Sequence, residues 1–235
     1  MKELDVALTD YFLALEAFLF VVLLVRHRND TGRLRFWFVI YFLAASLASA
    51  CGGTVHGFVN EEQAGAYAIL WRATLLAVGV AALANWAIGA HLLFSHRVTR
   101  WIVLAAVVQL LAYAVTIIFV SQDFRVAILD NLPAVVFLIV ALLLTCLRQP
   151  QAGLLVAAGG MSLTLVAAAL QQLEIGIHTH FNHNAVFHVI QAIALFMVFR
   201  GCRSLIGSDT DLRSAAQGGP QLGSFSAAAI DAKAR

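Results

Sequence analysis

Seven long apolar runs divide the chain, at residues 6–25, 36–58, 66–93, 100–120, 125–147, 152–173 and 183–205, and most charges gather in the short stretches between them. A helix needs about 20 mostly apolar residues to cross the hydrocarbon core of a bilayer, and every run is long enough. The expected fold is all-α, a polytopic bundle of seven transmembrane helices occupying residues 1–206. The connections leave no room for a separate soluble domain, and no internal repeat is present. After Ile206 the chain turns to Gly, Ser, Ala, Gln and Asp around Pro220. Residues 207–235 lack the apolar content to fold alone and are expected to form a disordered cytoplasmic tail. The first run is preceded by Lys2, Glu3 and Asp5 and followed by arginines, with no A-x-A cleavage site, so it reads as a retained helix rather than a signal peptide.

Composition agrees with the pattern. Hydrophobic residues make up 61% of the chain and charged residues only 12%, against about 25% charged in soluble domains. Lipid must cover much of such a surface. A net charge of +2 without a basic cluster excludes nucleic acid as a partner, and membrane lipids take that place. The three cysteines form no CxxC pair, so neither a disulfide framework nor a thiolate zinc site is expected.

Arginine placement orients the bundle. Arg26, Arg28, Arg33 and Arg35 follow the first run, Arg97 and Arg100 the third, Arg148 the fifth, and Arg200, Arg203, Arg213, Lys233 and Arg235 end the chain. These twelve share one side; Lys2, Arg72 and Arg125 fall on the other. The positive-inside rule makes the first side cytoplasmic, which puts the N-terminus outside. The short loops and Ala-, Leu- and Val-rich helices suit a bacterial inner membrane with a periplasmic N-terminus.

Ionisable residues inside a membrane are costly and usually mark function. Here they share a depth near the outer side: Asp10 and, deeper, Glu16 on helix 1, His56 on helix 2, Arg72 on helix 3, Asp130 and Asn131 on helix 5, and Gln171, Gln172 and Glu174 ending helix 6. His178, His180, His183 and His188 lead into helix 7. On that helix Asn184, His188 and Gln191 stand at i, i+4 and i+7, one polar stripe, with His183 beside it. On helix 2, Ser49, Gly52 and His56 also share a face. Asp10 could equally cap helix 1, and Asp130 and Asn131 could cap a helix whose first turn holds Pro133. Asn85 and Trp86 read as packing and hydrogen-bonding residues, and Gly52-Gly53 and Gly159-Gly160 as points of close helix approach.

Three chemistries suit this layer. Imidazoles with a nearby carboxylate are typical zinc ligands and their orienting partners, and a zinc-bound water supplies a hydroxide nucleophile. Two histidines on different helices could instead be axial ligands of a haem, as in an electron carrier. The groups could also simply bond one another and specify packing.

Gly52-Gly53-Thr54-Val55-His56 late in helix 2, and His183-Asn184-Ala185-Val186-Phe187-His188 opening helix 7, resemble motifs of a superfamily of seven-helix membrane hydrolases. That superfamily includes alkaline ceramidases and progestin/adipoQ-type receptors. Leu15-Glu16-Ala17-Phe18 is similar to the ceramidase first helix. Gly52 stands where the family has a serine, Asn184 where it has a histidine, and Arg72 lies near its helix-3 aspartate position. The block from His183 to Gln191 also resembles an uncharacterised bacterial seven-helix family. The hydrolase resemblance implies a zinc-dependent enzyme cleaving lipid amides or esters from the outer leaflet. In it His56, His183 and His188 would hold zinc, with Asn184 and Gln191 behind them. Asp10, Glu16 or Asp130 would orient a ligand or act as base, and Arg72 would stabilise the oxyanion. The missing serine and histidine equally suit a non-catalytic seven-helix protein that binds a lipid or small apolar ligand.

Overall fold

A computed structural model describes residues 3–26, 32–59, 64–176, 178 and 182–217, with side chains to residue 206. Lys2, Arg28, His180 and the expected tail from 218 onward lie outside the described residues. Among the described residues seven helices form, α1 (Leu4–Arg26), α2 (Arg33–Phe58), α3 (Ala64–Leu93), α4 (His96–Phe119), α5 (Phe124–Arg148), α6 (Ala152–Gln172) and α7 (His183–Gln217). Each is long and apolar enough to span a bilayer, α7 through Ile206. The chain is an integral membrane protein of all-α fold. A helix satisfies its backbone groups within its own segment in hydrocarbon, and large side chains such as Phe12, Leu15, Leu111 and Leu147 cover the outside. Beyond its span α7 continues to Gln217. Extending an existing helix is cheap, and nothing interrupts it before Gly218-Gly219-Pro220.

Six helices close a ring, with α1 against α2 and α7, α2 on α3, α3 on α5, α5 on α6, and α6 on α7. Small residues set the spacing of these seams. A Cβ on Gly53 would lie 2.9 Å from Asp10 Cβ, and one on Gly57 would lie 2.9 Å from Ala7 Cβ. This Gly-x-x-x-Gly face lets α1 and α2 approach closely. On α6, a Cβ on Gly160 would lie 2.7 Å from the Ala194 carbonyl of α7. At the end of the ring where α1 finishes and α2 begins, Phe20 stacks on Phe199 at 4.2 Å and meets Phe42 edge-on at 5.3 Å, which fills the bundle there.

The fourth helix stands outside the ring, against α3. Gly79 leaves room for the Tyr113 ring, whose hydroxyl donates to the Leu75 carbonyl at 2.9 Å. Gln109 of α4 accepts from Trp86 Nε1 at 3.1 Å and donates to Asp130 Oδ1 at 2.9 Å and to its carbonyl at 3.0 Å. One amide thus ties α4 to α3 and α5. Interhelical hydrogen bonds in membranes are each worth about 0.6 kcal/mol on average. Gln109→Leu removes the whole set and is expected to cost about 1–2 kcal/mol. Amide exchange should show the loss concentrated in α4; equal loosening of all seven helices would contradict the clip.

Candidate functional site

The ring encloses a cavity of about 560 Å³ in the half of the bundle where α1 begins. All six ring helices line it, and α4 contributes nothing. Room comes from alanines that face one another, among them Ala48, Ala81 and Ala168, and the wall is mainly apolar. Both stripes of the sequence point here. Ser49, Gly52 and His56 on α2, and Asn184, His188 and Gln191 on α7, all line the cavity.

Asp10 and His188 are the most deeply buried ionisable pair, 3% and 8% exposed. His188 Nε2 lies 3.1 Å from Asp10 Oδ1, and Nδ1 lies 3.2 Å from Thr9 Oγ1. Thr9 has one hydroxyl hydrogen, and it faces the Asp5 and Val6 carbonyls at 3.0 and 2.9 Å, which can only accept. Its oxygen therefore accepts from His188 Nδ1–H. A hydrogen held by Nε2 or by Asp10 Oδ1 then joins the two across that 3.1 Å gap. The second oxygen, Asp10 Oδ2, is buried without a partner. Gly52 makes the space beside it, since a Cβ there would lie 3.4 Å from Oδ2. On its other side His188 borders a groove between α1 and α7, lined by Leu8, Phe12 and Ile193 among others.

His56 Nδ1 meets Glu3 Oε2 at 2.7 Å and its ring stands edge-on to Trp71. Three amide contacts then link cavity residues on neighbouring helices. Asn85 donates to Asn131 at 3.4 Å, Gln171 to Asn184 at 3.2 Å, and Gln191 to Thr164 Oγ1 at 3.3 Å.

The other expected site residues fall elsewhere. Helix α1 begins at Leu4, so Asp10 sits in its second turn and is not its cap. Asp123 caps α5 by accepting from Arg125 N, which leaves Asp130, Asn131 and Pro133 inside that helix. Asp130 bonds Gln109 away from the cavity. Arg72 Nε and Nη2 lie 3.1 Å from the Gln122 side-chain amide, whose oxygen accepts from both once the amide is turned toward them. Glu16 keeps one buried oxygen without a partner but is not in the cavity wall. His183 opens α7 outside the lining, behind Asn182, which accepts from the backbone N–H of Asn184 and Ala185. His178 is exposed.

Among the described residues no three His, Cys, Asp or Glu side chains converge as a metal requires. Both ring nitrogens of His188 are engaged, and His56 Nδ1 faces Glu3. As arranged, these residues do not fit a zinc held by His56, His183 and His188. Nor do they fit a haem with His56 and His188 as axial ligands.

Sequence reasoning overlooked Glu3 as the partner of His56, although Glu3, just before α1, stands seven residues ahead of Asp10. It placed Asn85 with packing residues, whereas Asn85 is also part of the cavity wall. The model of a protein family described as a family of unknown function, DUF6962, matches residues 6–206. No curated protein and no solved structure matches the chain.

Proposed function

The chain belongs to that family of unknown function, so its activity must be argued from its own residues, and we propose that it binds a lipid or another small apolar molecule inside the six-helix ring. One observation carries this reading: a mainly apolar cavity of about 560 Å³ whose wall also holds polar side chains from all six ring helices. Small-molecule sites have this form, roughly 300–1,000 Å³, largely apolar and oriented by a few polar side chains. Among the described residues Lys and Arg contribute nothing to the wall, so no described cation competes with an apolar body. The twelve-to-three division of basic residues supports an N-terminus outside the cytoplasm, which would turn the cavity toward the outer leaflet.

Protein purified in nanodiscs should carry a bound amphipathic molecule, released intact on denaturation and identified by mass spectrometry. Ala48 lines the cavity, and Ala48→Phe should fill part of it and reduce occupancy about tenfold or more while the protein remains folded. Equal occupancy in both forms would place the molecule on the outer surface and defeat the reading. Recovery of a cleaved lipid, absent from Ala48→Phe, would instead favour hydrolysis of lipid amides or esters at the same cavity.

A further inference from the structure

Resting on that binding reading, we propose that the polar end of the ligand is a hydrogen-bond donor without negative charge, an alcohol or an amine. Five buried side-chain atoms among the described residues have no hydrogen-bond partner, and all five are oxygens. Four belong to residues of the cavity wall: Asp10 Oδ2, Asn85 Oδ1, Gln171 Oε1 and Gln191 Oε1. Asp10 and Asn85 are only 3% and 1% exposed. A buried polar atom without a partner costs about 1–3 kcal/mol, and four around one cavity form a consistent set.

The direction of the Gln191 amide follows from its neighbour. Thr164 Oγ1 gives its hydrogen to the Gly160 carbonyl, so it can only accept from Gln191, and the Gln191 amide must turn its nitrogen to Thr164 and leave its oxygen over. The nitrogens of Gln171 and Asn85 are likewise engaged with Asn184 and Asn131. Asp10 Oδ1 is taken by His188. These four oxygens call for hydrogen-bond donors on the ligand. A carboxylate or phosphate would bring charge to a site with no Lys or Arg and with the Asp10 carboxyl already inside. An ester would set acceptor against acceptor. A hydroxyl supplies one donor and an ammonium three, and the Trp71 and Phe124 rings of the wall also suit a cation.

The test uses the full chain in nanodiscs and four probes that share a decyl chain and end in a hydroxyl, an amine, a carboxylate or a methyl ester. Binding is counted by native mass spectrometry and checked by thermal shift. The alcohol and the amine should bind about tenfold more tightly than the ester, the gain of roughly one good hydrogen bond, and the carboxylate should bind most weakly. An amine tighter than the alcohol identifies a cationic head group, and equal affinities identify a neutral one; both support the proposal. Gln191→Leu removes one of the oxygens and should shrink the alcohol-over-ester preference about threefold. Gln171→Met should do the same, should the first variant fold poorly. An ester or carboxylate that binds as tightly as the alcohol overturns the proposal while leaving the cavity-binding reading intact. Failure of all four probes to bind removes both.

Discussion

Gly201→Ala is expected to lower the stability of the bundle by about 3 kcal/mol or more, a large effect for a single methyl group. The added Cβ would lie 2.5 Å from Ala157 Cβ, 2.5 Å from the Gly153 carbonyl and 3.0 Å from Ala157 N. Two of those three atoms are backbone, and a backbone cannot rotate away as a side chain can. Nearby, a Cβ on Gly153 would collide with Ser204. Without a hydrophobic drive between helices in lipid, association depends on close packing, so prising α6 from α7 has little to offset it. Gly65→Ala is the control: it lies in α3 with nothing within 4 Å of the new Cβ. There the better helix propensity of alanine should stabilise by about 0.5–1 kcal/mol. Unfolding both variants in mixed micelles separates the explanations. Similar small changes in the two would mean that the α6–α7 seam is not held at backbone contact.

The fold was legible because the bilayer imposes a length on each apolar run, and the helices keep within a few residues of the runs, α7 overrunning its span. The order of helices in the ring was not legible, since seven apolar runs look alike. One signal was present: α4 has the highest mean hydropathy of the seven and the smallest buried share, as befits the helix with most lipid contact. The candidate site divided along the same line. Stripes at i, i+3 and i+7 on α2 and at i, i+4 and i+7 on α7 found their cavity faces, because a helix fixes the angle between its own residues. Shared depth was a weaker guide, since it ignores that angle. Asp130 and Asn131 are neighbours in sequence but about 100° apart around the helix. Asn131 consequently meets Asn85 at the cavity while Asp130 meets Gln109 on its far side. Glu16 and Asp10 are six residues apart, about 240° around the helix, and only Asp10 lines the cavity. His183 is five residues from His188 and falls off the stripe for the same reason.

His188→Ala should destabilise the protein by about 3 kcal/mol, second only to Gly201→Ala. The direct bond between helices is the smaller part, since such bonds in membranes reach about 1.7 kcal/mol at most. The larger part is what remains: with His188 gone, Asp10 Oδ1 loses its partner and joins the already unpartnered Oδ2, so both carboxyl oxygens are left buried without a hydrogen bond. Asp10→Ala leaves a milder defect. A neutral His188 can keep its Nδ1 bond to Thr9 and carry its lone pair on Nε2 toward the cavity. The two losses share one interaction, so the double variant Asp10→Ala/His188→Ala should cost about 1.5 kcal/mol less than the sum of the singles. Asp10→Asn should sit closest to wild type, because its amide can still donate to Nε2 while Thr9 accepts from Nδ1. Unfolding of all four variants in bicelles measures the coupling. Strict additivity would mean that Asp10 and His188 act separately, and the shared proton between α1 and α7 would have to be abandoned.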